Sequence, residues 1–519
     1  MVLAHGIHHV TLITRKVQAN VDFYAGFLGL RLVKRTAGFE DAGQLHLIYG
    51  DRLGSPGTLV TFLVWEDGVP GRVGLGQISE ISLAIDPSSI GFWLTRALTA
   101  GIPVEGPTEE FGEPALRLKD PDGIIVKLVG TKGMQAPYPW LAKGIPAGSG
   151  AGRIRGVTIL AEDATLTGSF LARNFGYREQ GSSGTTTRFL SMSGDAVDLR
   201  EATGFWTSAP GTGTADHVAF RAADRNEVDE VHAALEASNA SATNTHDRKY
   251  FHSLYVREPG GVLIELATDG PGMIVDEAPE SLGETLFFPP GLADAEADMT
   301  ARLPQFGMPG EPRTIYRDLP FVHRIFVPPE PDGSTLVLLH GSGGNETSLL
   351  ALGRHAAPNA TLLALRGRSV EEGSPRWFRR FPDGFDQADI RAEAEAFAAF
   401  MQGAVPAYGL DLERTIFIGH SNGANFLAAA IMLHPGLVRF AALLRPIQVL
   451  DAMPAEKLRG TSALIVTGDR DAFQEGGRAL EATLRDLDAD VANVTLAAGH
   501  QLAAQDGPAI ARWRASIGF

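Results

Sequence analysis

The chain has 519 residues, too many for one hydrophobic core, and at roughly 150 residues per domain it predicts three or four units. Its hydrophobic fraction of 44% and charged fraction of 20% are those of a globular protein, and a net charge of -16 argues against a general nucleic-acid binder. No cysteine is present, which excludes disulfides, thiolate metal sites and cysteine nucleophiles and fits a cytoplasmic location.

The first stretch, MVLAHGIHHVTLITRKV, lacks a basic segment followed by an apolar core and alternates like a strand, so no signal peptide is expected. No run of about 18 uncharged apolar residues predicts a membrane span. Residues 7–12, IHHVTL, open a first unit, followed by a helix-like NVDFYAGFLG and strands in LRLVKRT, LHLIYGD and GTLVTFLVW. A second unit opens at Ile78 with ISEISLAI, has a helix around Ile90–Ala100 and closes with DPDGIIVKLVG. A third opens at Ile154 with IRGVTIL, has a helix over Leu166–Phe175 and closes with GDAVDLRE. A fourth opens at Ala215 with ADHVAFRA, has the helix NEVDEVHAALEA and closes with EPGGVLIELATD. Gln135–Gly152, rich in Pro and Gly, reads as the linker between the two pairs. Within the last closing strand, Glu265 interrupts Val262, Leu263, Ile264 and Leu266. A carboxylate there is costly unless paired, hydrogen-bonded or bound to a metal.

Four βαβββ units with DPDG and EPGG turns before the closing strands of units two and four resemble the vicinal oxygen chelate superfamily, which holds glyoxalases and extradiol dioxygenases. Aligned on their own periodicity, the opening strands place His9, Glu80, Gly156 and His217 at one position, and the closing strands place Thr61, Lys127, Asp198 and Glu265 at another. Asp198 is read as an ordinary strand carboxylate facing water. A lone strand His is more often a hydrogen-bonded core residue than a ligand, but the pattern across repeats favours His9, His217 and Glu265 as a metal set. Two His and one carboxylate suit a facial triad with open positions, favouring Fe(II) or Mn(II). The spacing excludes a helical HExxH zinc motif.

The phrases LVKRT at Leu32–Thr36, LGSPGT at Leu53–Thr58 and Asp247–Gly272 sharpen the resemblance to ring-cleaving dioxygenases acting on hydroquinones. That resemblance implies Arg248 and Tyr255 near the substrate oxygen and His8 as an acid–base partner beside His9. It departs at Asp216, where the family often has a second His. The implied substrates are a small hydroquinone-like aromatic and O2. A metal-free aromatic-binding module and a glyoxalase-like lyase or isomerase using Zn or Ni are the competing readings.

Residues 276–311, including a short helix at Asp294–Leu303, read as a dioxygenase tail and linker. Beyond them, strands alternate with helices, predicting a doubly wound parallel sheet. GHSNG at Gly419–Gly423 follows the strand TIFI and precedes the helix ANFLAAAIML, the context of a G-x-S-x-G nucleophile elbow. Ser421, Asp471 and His500 follow in the chain order of the α/β-hydrolases, which this half resembles in their carboxylesterase- and phospholipase-like branch; Asp469 is the alternative acid. HGSGG resembles an oxyanion loop, with the Ser342 amide joining that of Asn422. Arg376–Ile390 matches a lid-side segment of that branch. The expected organisation is therefore 1–134 and 153–275 as two vicinal-oxygen-chelate domains of two units each, 276–311 as tail and linker, and 312–519 as an α/β-hydrolase. The hydrolase would act on an ester or on the ring-cleavage product. Four units complete a barrel pair within one chain, so a homo-oligomer is not required.

Overall fold

A computed structural model describes residues 5–38, 41–238, 244–292, 295–452 and 456–519. The chain separates into two compact units, residues 1–293 with 304–312, and residues 294–303 with 313–519.

The first unit contains the four repeats. Their strands are β1 (Ile7–Thr14), β2 (Arg31–Ala37), β3 (Leu45–Gly50) and β4 (Leu59–Val64); then β5 (Gln77–Ile85), β6 (Val104–Glu110), β7 (Glu113–Lys119) and β8 (Ile125–Gly130). Next come β9 (Ile154–Ala161), β10 (Arg178–Ser183), β11 (Thr186–Leu190) and β12 (Ala196–Glu201), then β13 (Ala215–Ala222), β14 (Asn244–Asp247), β15 (Phe251–Arg257) and β16 (Leu263–Pro271). A helix follows each opening strand: α1 (Val17–Val21), which runs on as a π-helical Asp22–Phe27, α2 (Ile90–Thr99), α3 (Ala164–Phe175) and α4 (Arg225–Ala237). Asp163 caps α3 by accepting the Thr165 and Leu166 N–H groups, and Gly176, at φ 71°, ends it.

The sheets are not built as 1–134 and 153–275. One runs β14-β15-β16-β13-β1-β4-β3-β2-β17, joining unit four to unit one, with β17 (Leu286–Phe287) on its edge. The other runs β10-β11-β12-β9-β5-β8-β7-β6, joining unit three to unit two. Opening strands pair antiparallel across each seam, β1 with β13 and β5 with β9. Each seam is broken at the same two places. Register shifts leave His8 and Asp216 as the extra residues in one sheet, and Ser79 and Arg155 in the other.

The second unit is a seven-stranded sheet: β18 (His323–Phe326), β19 (Thr335–Leu339), β20 (Thr361–Leu365), β25 (Thr415–His420), β26 (Phe440–Leu444), β27 (Ser462–Gly468) and β28 (Asp490–Leu496), ordered β18-β20-β19-β25-β26-β27-β28. Only β18 is antiparallel to its neighbour. Two hairpins, β21 (Ser369–Glu371) with β22 (Ser374–Arg376) and β23 (Arg380–Phe381) with β24 (Gly384–Phe385), lie between β20 and β25 in the chain. Alternate strand residues face opposite cores, which is why these strands read as continuous apolar runs. Val337, Leu339, Phe417 and Leu443 meet Phe397 and Phe400 of α7 (Gln387–Tyr408) and Phe426 of α8 (Asn422–Leu433), while Leu484 of α9 (Gln474–Asp486) belongs to the same core. Leu336, Leu338, Ile416 and Val466 meet Leu350 of α6 (Leu350–Ala356) and Trp513 of α10 (Asp506–Ser516). Helix α5 (Glu296–Arg302) also belongs here: Ala301 joins that second core, and Asp298 pairs with Arg354 at 3.3 Å. The stretch expected as one tail, 276–311, is thus divided between the units. Asp294, expected to start this helix, lies outside the described residues.

Candidate active sites in the two units

Strand register brings three distant residues together. Antiparallel β1 and β13 set His217 opposite Thr11 and His9 opposite Ala219, and parallel β13 and β16 set Ala219 beside Glu265. His9 Nε2 and His217 Nε2 lie 3.2 and 2.8 Å from Glu265 Oε2, and 3.3 Å from each other. All three residues are buried, Glu265 completely. Its Oε2 faces both histidine nitrogens without a well-angled hydrogen bond, while Ser253 Oγ donates to Oε1. Three converging lone-pair donors with edges of 2.8–3.3 Å suit adjacent positions around one cation. Ligands bound at about 2.1 Å on cis positions stand about 3 Å apart. This is the one such His and carboxylate cluster among the described residues.

The residue before each histidine orients it. Asp216 Oδ2 accepts from His217 Nδ1 at 2.7 Å, and His8 Nδ1 lies 2.9 Å from His9 Nδ1. Successive strand residues normally face opposite sides; the two register shifts relax that rule at His8 and Asp216. Burial, then the neighbouring His9, pushes His8 well below the ordinary imidazole range. A neutral His8 accepts the His9 Nδ1 proton, leaving the His9 Nε2 lone pair for a cation. Burial opposes charge on His217, but the hydrogen bond to Asp216 and the nearby Glu265 carboxylate outweigh it and raise its pKa to about 9. Burial likewise opposes the Glu265 carboxylate, but its attraction to the neighbouring His9 and His217 rings holds it well below the usual range.

A cavity of about 320 Å³ opens on this cluster. His9, His217 and Glu265 line it together with Arg248 and Tyr255. The Tyr255 phenol is pushed up by burial and by Glu265 and stays protonated, with Arg248 hydrogen-bonded to it. His8, expected as an acid–base partner, does not line this cavity. Three further lining residues were given no role from the sequence, although Asp216 stood out there as a departure from the family and His46 as a candidate for the pocket wall. Thr11 Oγ1 bonds His217 Nε2 at 2.9 Å, and Asp216 orients His217. His46 is a half-buried imidazole whose pKa is lowered to about 3, first by burial of the ring and then by His9, with Nε2 lacking a partner. The repeat alignment was the available signal for Thr11 and Asp216, two residues after His9 and one before His217.

The second sheet repeats the plan with different residues. There Thr158 lies opposite Glu80 and beside Asp198, and Ser82 lies beside Lys127. These pairings make Lys127 and Asp198 the register equivalents of Thr61 and Glu265. Lys127 Nζ contacts Glu80 at 3.1 Å and Glu110 at 3.0 Å. Asp198, expected to face water, is instead buried, because Arg188 clamps both its oxygens at 2.7 and 2.8 Å.

In the second unit, β25 ends at His420 and α8 begins at Asn422, leaving Ser421 on the turn at φ 51° and ψ -116°. Such strain in a non-glycine residue is the mark of an elbow that exposes its side chain. Both flanking glycines are required: a Cβ on Gly419 would stand 2.7 Å from the Ala424 backbone, and one on Gly423 2.3 Å from the Leu339 carbonyl oxygen. Ser421 Oγ lies 2.8 Å from His500 Nε2, and His500 Nδ1 lies 3.2 and 3.1 Å from the oxygens of Asp471. Asp471 is buried, whereas Asp469, the alternative acid, is half-exposed and pairs with Arg470. Arg445 is buried against Asp506 and donates to the Gly499 carbonyl at 3.2 Å, fixing the loop that carries His500. Ser342 and Asn422 line the same cavity as Ser421, at about 610 Å³.

The family model described as Glyoxalase/Bleomycin resistance protein/Dioxygenase superfamily matches residues 6–128 and 156–266. MhqO of Bacillus subtilis strain 168, named for ring-cleaving dioxygenase activity, is 35% identical over 286 residues, covering 55% of this chain and 91% of its own. Chlorohydroquinone/hydroquinone 1,2-dioxygenase of Sphingobium indicum is 32% identical over 309 residues, covering 57% of this chain and 94% of its own. MhqD of Bacillus subtilis strain 168, named a hydrolase, is 32% identical over 183 residues, covering 35% of this chain and 92% of its own.

Proposed function

The chain belongs to the Glyoxalase/Bleomycin resistance protein/Dioxygenase superfamily, as an enzyme with a dioxygenase part fused to a hydrolase part, and from that premise we propose that its first unit cleaves a hydroquinone-type ring with O2 at Fe(II) while its second is a serine hydrolase. The observation that carries the first reading is the convergence of His9 Nε2, His217 Nε2 and Glu265 Oε2 on one point in the wall of the cavity. Those residues would hold the ion, Fe(II) or alternatively Mn(II), and leave further positions open. Bound Fe(II) supplies the redox centre through which ring electrons reach O2.

The remaining residues define what the cavity does to its substrate. Tyr255, kept protonated, and Arg248 offer hydrogen to negative charge developing on a substrate oxygen. His46, held neutral, offers a hydrogen-bond acceptor to a phenolic O–H and orients it without taking its proton. His8, from outside the cavity, and Asp216, from its wall, orient His9 and His217. Ile48, Leu63, Phe251 and Leu263 complete an apolar wall suited to an aromatic ring. Cleavage breaks the bond between a hydroxylated ring carbon and its neighbour and places both oxygen atoms in the product. The hydroxylated carbon becomes a carboxyl group and the neighbour an aldehyde or, when substituted, an acyl group.

For the second unit, Ser421 Oγ is the nucleophile, His500 takes its proton and returns it to the leaving group, and Asp471 orients His500. The N–H groups of Ser342 and Asn422 receive the oxyanion. Its substrate is an ester or the acyl product of the first unit.

Oxygen uptake by anaerobically Fe(II)-loaded protein tests the first reading, with hydroquinone, methylhydroquinone, chlorohydroquinone and catechol offered in turn. Uptake with a hydroquinone, lost in Glu265→Gln and kept in Ser421→Ala, supports it; no uptake with any ring sinks it. Uptake-free turnover with Zn(II) or Ni(II) instead would indicate a lyase or isomerase.

A further inference from the structure

We propose that the hydrolase unit selects substrates whose acyl part ends in a carboxylate, held by Arg376 and Arg380; this rests on the serine-hydrolase reading of the same cavity. Although the chain carries a net charge of -16, the cavity around Ser421 is lined by Arg376, Arg380 and Arg445 and, among the described residues, by no Asp or Glu. Arg445 is already neutralised by Asp506, both side chains being fully buried. Arg376 and Arg380 are different. They share one ion-pair partner, Glu371, which lies 2.6 Å from Arg376 Nε and takes two bonds from Arg380 at 3.0 and 2.9 Å. Two guanidinium groups against one paired carboxylate leave positive charge on the cavity wall, and Glu372 adds only a through-space influence on Arg380. Elsewhere on the same segment the balance is full: Arg379 faces both Asp386 and Asp389 at 3.2 Å, and Arg368 is clamped by Glu393 at 2.9 Å.

Position makes the charge useful. Arg376 is largely buried and reaches Ser342 Oγ at 2.7 Å, on the loop that supplies the second oxyanion donor. Its buried Nε makes no hydrogen bond of proper angle even to Glu371. A guanidinium fixed there, in a cleft that focuses its field, recognises a carboxylate a few atoms beyond the scissile carbonyl. A neutral acyl chain of the same length leaves that charge unanswered. Oxidative opening of a hydroquinone ring generates just such a carboxylate, so this wall fits the chemistry of the first unit's product.

The test compares two esters of equal acyl length on the full chain, the mono-p-nitrophenyl ester of adipic acid and p-nitrophenyl hexanoate. The proposal expects kcat/KM for the adipate to exceed that for the hexanoate by about ten- to a hundredfold, chiefly through KM, with the ratio falling as salt rises. Arg376→Gln and Arg380→Gln each pull the ratio towards one, and Arg376→Lys restores part of it. Glu371→Gln, which removes the paired counter-charge, raises it. A purely structural role for the three residues predicts instead that Glu371→Gln lowers the ratio together with the arginine variants, and that result overturns the proposal. So does a native preference for the hexanoate. Hydrolysis of neither ester by the native protein would overturn the serine-hydrolase reading itself.

Discussion

At Glu265, exchanging one carboxylate oxygen for an amide keeps the shape and removes the charge that His9 and His217 share. Glu265→Gln is expected to lower bound metal after dialysis by more than the about 10–100-fold typical of losing an orienting residue, read by elemental analysis alongside oxygen uptake. At Ser421, alanine removes the nucleophile and should cut hydrolysis of p-nitrophenyl esters by at least about 10³-fold while leaving the melting temperature unchanged. Asp120 offers a separate test by pH. Burial, opposed by the Ile124 N–H, raises its carboxyl to about 6, even with Tyr24 donating at 3.1 Å. A carboxyl raised on folding favours the folded state most when protonated, so its contribution is full below about pH 4 and is lost as pH rises through 6. Asp120→Asn should gain on the native protein by up to about 3 kcal/mol between pH 4 and 7, measured as the difference in urea unfolding free energies. His9, His217 and Glu265 were legible because they break a repeated apolar pattern with chemistry-bearing side chains. The roles of Asp216, Thr11 and His46 were not, because they depend on register shifts and on cross-strand neighbours far away in sequence.

The same contrast holds for whole elements. Opening strand, helix and closing strands were readable in all four repeats because alternation and helical spacing are local. Which strand pairs with which was not. Joining β1 to β13 brings together residues about 200 apart, a choice made by complementary edges and not by any pattern within a strand. Likewise α5 read as part of a tail, since seven residues carry too little periodicity to reveal that Ala301 enters the hydrolase core. The nucleophile elbow was the opposite case, because its two glycines report a steric requirement directly. Gly423→Ala would drive a methyl against the Leu339 carbonyl oxygen, forcing α8 and β19 apart. An overpacking cost of about 1–3 kcal/mol in the hydrolase unit is expected, with loss of esterase activity and undiminished oxygen uptake.

Across the whole molecule, two units with separate cores predict two unfolding transitions in calorimetry. An ion that binds only the folded first unit stabilises it by mass action, so a chelator should lower one transition and leave the other in place. Esterase activity retained after the chelator-sensitive transition has passed would identify the surviving unit as the hydrolase. A single transition that moves as one would contradict this separation.

The sheet that holds no His and carboxylate cluster has a practical meaning for any stoichiometric assay. In that sheet the ammonium of Lys127 stands between Glu80 and Glu110, so the cation comes covalently attached and cannot be exchanged. On the proposed reading the two halves of one repeated plan therefore differ in what they must obtain from solution: one half borrows its positive charge and the other carries it already. A metal titration of the full chain should accordingly saturate at one equivalent despite the twofold look of the unit.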